Sequence, residues 1–213
     1  MAATIDICNR ALSLIGEDVI ASLDEASEPA RKCKLWWDPS RQAVLRAAFW
    51  GSARKAAVLN LLDVTPAGWS YAYLYPGDCL HARFIGGSQL PPFTVSTLET
   101  TGGLNKVILT NATSPTLHYT FDNTDPTTWD IGLEQAVTHA LAGNIAYALT
   151  GKRALKLDQF QLANQLIEIA RGQAMNELLR DFSQEPGRVR AMNSWDDLDW
   201  TSPFIAPDGP LLI

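Results

Sequence analysis

The hydrophobic period of the chain changes twice along its length. Apolar residues recur at helical spacing up to about Ala48 and again from Trp129 to Phe182. Between them, from Asp63 to Asp125, Gly, Pro, Thr and Ser punctuate short runs of aromatic and β-branched residues, which is strand composition. Such an order predicts an α+β fold: a mainly helical bundle of about four helices, interrupted by a small antiparallel β insertion and followed by an extended C-terminal arm. The expected segments are residues 1–62 with 127–185 for the bundle, 63–126 for the insertion and 186–213 for the arm.

Within the first helical part, Thr4 is placed to cap a short helix carrying Ile5, Cys8, Leu12 and Ile15, with Gly16 ending it. A second helix is expected from Glu28 and Pro29, with Trp37, Val44 and Ala48 on one stripe. Pro39 inside it removes a hydrogen bond, so the helix should kink there or restart with Asp38 as its cap, and a kink is the expected outcome. The strand candidates are Ser70 to Tyr75, Cys79 to Ile85, Phe93 to Leu98, Lys106 to Thr110 and Thr116 to Phe121, separated by turn signals such as Pro76-Gly77 and suited to a meander or small sandwich. Thr128 is the expected cap of an Ala-rich helix ending at Gly151, thin enough for close helix packing. The last helix, from about Leu155 to Phe182, is expected to bury Phe160, Leu162, Leu166, Ile169 and Leu178.

With 213 residues, 46% of them hydrophobic and 19% charged, the chain can bury a core without staples. Its net charge of −6 supplies no general cationic field for phosphate backbones. Cys8, Cys33 and Cys79 are odd in number and never in a CxxC spacing, so reduced thiols in a cytoplasmic setting are expected rather than a disulfide framework or a zinc site. Neither a signal peptide nor an apolar run of membrane-spanning length is read in the chain, so no membrane association is expected.

Motifs for nucleotide phosphates, nucleophile-elbow hydrolases and zinc proteases are absent. Cys79 and His81 would share one face of a strand, but no further ligands stand at zinc spacing, so core packing is the favoured reading. Glu17, Asp18, Asp24, Glu25 and Glu28 could supply paired carboxylates for glycoside hydrolysis, although acids in a polar loop are usually solvated. Arg31, Lys32, Lys34, Arg41, Arg46, Arg54 and Lys55 make the second helix and its exit basic, which reads first as a wet helix face. Trp36 and Trp37 point about 100° apart on that helix, so burying both requires cover over a broad arc, from the bundle and a neighbouring subunit. No catalytic, metal or cofactor residues are assigned. Beyond Pro186, the segment with the acidic run Trp195-Asp196-Asp197-Leu198-Asp199-Trp200 is either disordered or an arm laid on a partner, and the two Trp favour the arm, because Trp is enriched among interface anchors.

The run Ile7-Cys8-Asn9-Arg10-Ala11-Leu12-Ser13-Leu14-Ile15-Gly16-Glu17, then Trp37-Asp38-Pro39-Ser40-Arg41-Gln42-Ala43-Val44-Leu45-Arg46 leading to Phe49-Trp50 and Ala53-Arg54, resembles the head-to-tail adaptor proteins of short-tailed bacteriophages, the tail tubular protein A group. Tyr71-Ala72-Tyr73-Leu74-Tyr75-Pro76-Gly77-Asp78-Cys79-Leu80 resembles that family's tyrosine-rich strand, and His139-Ala140-Leu141-Ala142 through Thr150-Gly151 its Ala-rich helix. The likeness runs over about residues 5 to 182; Gly51 departs from it, and the tail after Pro186 matches nothing in it. The resemblance implies a structural virion protein, not an enzyme. It would form a dodecameric ring of its own copies below the portal protein, receive the tail nozzle (tubular protein B-like), and let DNA pass through its lumen without specific binding. It would be assembled in the host cytoplasm and reside at the portal vertex of the virion tail. Trp36, Trp37 and Arg41 are the expected subunit-interface residues, and Arg188, Arg190, Trp195 and Trp200 the expected portal-binding residues of the arm. Two rival classes remain: a cell-wall-degrading glycosidase or a Cys79/His81 hydrolase, and a monomeric module whose tail binds a host factor.

Overall fold

The computed structural model describes residues 3–64, 66–86, 90–100 and 103–182, with the backbone alone over 177–182. The fold is α+β, with four helices and two small antiparallel sheets. The chain divides into a helical unit, made of residues up to Ser52 and of Asn123–Asn176, and a β unit, Ala53–Asp122.

The helical unit is arranged around α3 (Ile131–Thr150). Its buried side chains, from Leu133, Ala136 and Val137 through Leu141, Ala142, Ile145 and Ala146, lie on nearly every side of the helix, as expected of a helix enclosed by others. Both α1 (Thr4–Ile15) and α2 (Glu28–Ala47) pack chiefly on α3. Cys8, Leu12 and Ile15 of α1, Ala30 and Cys33 of α2 and Leu141 and Ile145 of α3 share one core, each Leu or Ile contributing about 1.5 to 3 kcal/mol by leaving water. The loop after α1 is held by Asn9, whose side chain accepts from the Ile20 amide at 2.9 Å and donates to the Ile20 carbonyl at 3.1 Å. Gly16 ends α1 with φ +81°, the left-handed conformation that favours glycine.

Several local expectations are corrected. Thr4 is the first helical residue rather than the cap of α1, and the Asp6 carboxylate accepts from the Ala3 amide at 2.9 Å. Ser27 caps α2 by accepting from the Ala30 amide, and the helix runs through Pro39 with no restart at Asp38. Pro39 and Leu35, the residue whose carbonyl it deprives of a donor, both lie on the exposed side, where water can satisfy that carbonyl. Thr128 belongs to a 3-10 turn (Pro126–Thr128), and Asp130 caps α3, its Oδ1 accepting from the Leu133 amide at 2.8 Å. A carboxylate satisfies that amide and also meets the positive end of the helix dipole, which a threonine hydroxyl cannot do.

Of the side chains expected on the buried face of α4 (Arg153–Phe182), Phe160 is buried and Leu166 half-buried, whereas Leu162 is 41% and Ile169 58% exposed; Ala163, Ile167 and Ala174 complete the inward face in their place. Leu162 and Ile169 belong to an alternative apolar face of the same helix. The inward face is selected by Gly143 on α3, which receives the Phe160 ring, and by His139, whose Nδ1 is 2.7 Å from Gln159 Oε1. The side chain of Leu178 lies outside the described residues.

The β unit contains the expected strands, now β2 (Tyr71–Leu74), β3 (Cys79–Gly86), β4 (Phe93–Thr100), β5 (Gly103–Thr110) and β6 (Thr116–Phe121), and one more, β1 (Arg54–Val58). The two sheets run β1-β6-β3 and β2-β5-β4, every pairing antiparallel. Tyr73 and Ile108 from one sheet and Ile85, Leu117 and Tyr119 from the other share a core, so the sheets form a small sandwich. Ala72, Val107 and Leu109 bury the opposite face of the second sheet beneath Leu62, Trp69 and Leu98. β1 carries Arg54 and Lys55 followed by two alanines, a composition of low strand preference that suits an edge.

Candidate functional site

On α2, Trp36 and Trp37 are half-buried against the helical core, and Trp37 stacks on Trp129 with ring centroids 6.0 Å apart and planes within 9°. The chain's own Trp129 thus supplies part of the cover that two adjacent tryptophans require. Leu35 beside them is 63% exposed. Phe49 and Trp50 are core residues, the Trp50 indole donating to the Val44 carbonyl at 2.9 Å.

Arg41, an expected subunit-interface residue, points into the helical unit. It is 2% exposed; Nη2 donates to Asp38 Oδ1 at 2.9 Å and Nη1 to the Asn123 carbonyl at 3.2 Å. Asn123 in turn donates to the Ser52 carbonyl and to Thr128 Oγ1, both at 2.8 Å. Arg41 therefore ties α2 to the segment through which the chain re-enters the helical unit. The arm residues Arg188, Arg190, Trp195 and Trp200 lie outside the described residues.

Three of the remaining basic residues stand in ion pairs. Lys34 pairs with Asp24 at 2.7 Å, Lys32 with Glu28 at 4.0 Å, and Lys55 with Asp78 at 2.5 Å. Two of the loop acids, Asp24 and Glu25, are placed to stay ionised. The hydrogen bond from Lys34, then its charge, holds Asp24 below the usual carboxylate range. Glu25 is lowered first by the Ala21 amide and then by Ser27. A glycosidase acid requires the reverse shift, from burial or a like charge.

Cys79 and His81 are separated by a register irregularity in β3, Cys79 facing Phe121 and His81 facing Thr120, so regular alternation is lost between them. Burial pushes the Cys79 thiol up, away from thiolate reactivity. His118 stacks on Phe84 with centroids 4.5 Å apart and is lowered by burial. No cluster of three or more His, Cys, Asp or Glu suited to a metal occurs among the described residues. No helix among them is long and apolar enough to cross a membrane.

One polar cluster of the β unit escaped the sequence reading because its members stand far apart in the chain. Asp78, in the turn before β3, accepts from Lys55 of β1 and from the Tyr119 hydroxyl of β6 at 3.0 Å, while Lys55 Nζ lies 5.8 Å from the Phe121 ring centroid. Partial burial works to raise the Asp78 pKa, but the hydrogen bonds from Lys55 and Tyr119 outweigh it and the carboxyl titrates below its usual range. A carboxylate depressed in the fold stabilises above its unfolded pKa, about 3.9, and that contribution is lost as pH falls through the lower folded value. Urea titrations between pH 5 and pH 2.5 are expected to show an acid-labile component that shrinks in Asp78→Asn; equal acid sensitivity of the variant would remove Asp78 from the account.

The chain matches no protein-family model and no curated protein.

Proposed function

We propose that the protein is a structural head-to-tail adaptor of a short-tailed bacteriophage, forming a ring of its own copies between the portal protein and the tail nozzle, through which the genome passes. The observation that carries this reading is the ordered resemblance of the segments spanning residues 5 to 182 to that family. Two features of the fold support it. The helical unit leaves apolar side chains uncovered, Leu162 and Ile169 on α4, Leu35 on α2 and Ile131 and Tyr147 on α3, as a subunit does when its neighbours are removed. The β unit, with its own core, offers a second body for contacting another component. The net acidic charge suits a wall along which DNA slides rather than one that grips phosphates.

The direct test is light scattering coupled to size exclusion on the protein alone and with the portal protein of the same genome, with electron micrographs of any complex. A ring of added density below the portal is expected; a chain that stays monomeric and ignores an assembled portal would refute the reading. Ending the chain at Glu185 is expected to leave the fold intact while weakening portal binding severely, and unchanged binding would remove the arm's role. Trp36→Ala is expected to impair ring formation more than folding, since Trp36 is only partly buried against the helical core. A stability loss of about 3 to 5 kcal/mol in the monomer would instead mark Trp36 as core.

A further inference from the structure

The two sheets of the β unit have four outer edges, on β1, β3, β2 and β4, and an unguarded edge is a template for another strand. Two of the four are managed within the chain. Residues 60–62 run along β2, where the Leu62 amide donates to the Ala72 carbonyl and the Leu74 amide to the Asn60 carbonyl, both at 2.9 Å. β3 is made irregular by register shifts between Cys79 and His81 and between Ala82 and Phe84. By contrast, β1 pairs with β6 from Arg54 to Val58, and β4 with β5 from Phe93 to Thr100, without a break. Among the described residues, no segment pairs with the other side of either strand over 55–58 or 93–99. β4 contains no Lys, Arg or Pro, the residues that commonly guard an edge, and its one charge is Glu99. β1 carries Arg54 and Lys55.

We propose that β4 of one copy pairs antiparallel with β1 of a second copy, joining their sheets edge to edge. The difference in charge makes each edge fit the other better than it fits itself. A β1–β1 contact gathers four cations on two short strands, whereas a β4–β1 contact brings two cations to a strand whose only charge is acidic. Apolar side chains select the register. Val58 is 65% and Val95 40% exposed, and each is covered when the two stand opposite one another. That register sets Thr97 opposite Ala56 and Glu99 opposite Arg54 on the same face, with Ser96 opposite Ala57 and Leu98 opposite Lys55 on the other. Each contact uses two different surfaces of the chain, so copies add in one direction and close into a ring or continue as a filament. The inference rests on the proposed ring of copies and names the strands that join them.

The test mixes full-length Val58→Cys and Val95→Cys variants, both changed at exposed positions, and treats them with a short bis-maleimide where light scattering shows assembly. The portal protein of the same genome is added if the chain alone stays monomeric. Peptide mapping is expected to find residue 58 of one copy linked to residue 95 of another, with neither variant linking by itself, and the double variant should give a ladder of multimers. Glu99→Lys, changed at an exposed position, is expected to leave the melting temperature of the monomer unchanged and to raise the concentration at half-assembly about fivefold. Unchanged assembly by that variant would overturn the register. Assembled protein with no 58–95 link, links between like positions in its place, or a link from either position to the portal would each overturn the proposal and leave the ring reading standing. A chain that stays monomeric with and without the portal would overturn the ring reading, and this contact with it.

Discussion

Replacing Arg41 by alanine is expected to lower the unfolding free energy by about 3 kcal/mol, the range found when a buried, hydrogen-bonded charge is truncated. The side chain is 2% exposed, so its aliphatic stem fills core volume that alanine leaves empty. Loss of the guanidinium also removes the donor to the Asn123 carbonyl, in a residue itself 4% exposed. Asp38 contributes little to the loss, because its side chain is 68% exposed and returns to water. Arg41→Met, which keeps the stem and deletes the charge, should recover part of the loss. Urea unfolding of the monomeric protein separates this reading from an interface role: wild-type monomer stability combined with failed assembly would mean that Arg41 acts between subunits.

Gly143→Ala is the second large effect, and its sign runs against helix propensity. On an open helix face the exchange would stabilise by about 1 kcal/mol. Here the added methyl would stand 2.7 Å from two atoms of the Phe160 ring and 3.1 Å from its Cγ, the ring's attachment end, so the ring cannot simply swing aside. Overpacking of this kind costs about 1 to 3 kcal/mol, more in Gly143→Val, where β-branching is added. Thermal and urea melts should show destabilisation of Gly143→Ala, and Phe160→Leu in the same chain should return part of it, a coupling that a double-mutant cycle measures. Additive effects of the two changes would show that the ring does not fill the glycine's place.

The same contact explains why the buried face of α4 was misread. Its stripes Leu162/Leu166/Ile169 and Phe160/Ala163/Ile167 both repeat at helical spacing, and the first is richer in large apolar residues. Periodicity therefore favours it, whereas the space left at Gly143 admits the second. β1 was missed for a related reason: an edge strand of Arg, Lys and Ala has no local preference to display and exists because β6 offers it a ladder. The helix caps show the limit at shorter range. Thr128 and Asp130 are both acceptable caps in composition, and the 3-10 turn at Pro126 decides between them.

The candidate site divides along the same line. That Trp36 and Trp37 share α2 follows from their adjacency, but the stacking of Trp37 on Trp129 and the inward course of Arg41 depend on residues about ninety positions away. The Asp78, Lys55 and Tyr119 cluster is likewise assembled from a turn and two strands.

The sequence by itself determined the class of the four helices and of strands β2 to β6, the interruption of a helical unit by a β unit, and the glycines at 16 and 151 that end α1 and α3. Those properties are set by contacts within a few residues, where period, capping and left-handed turns act. Only the tertiary structure decided which of two apolar stripes of α4 is buried, that Arg41 is internal, and that Asp78 meets Lys55 and Tyr119. Each of these rests on the space and partners supplied by a distant segment, which no local preference encodes.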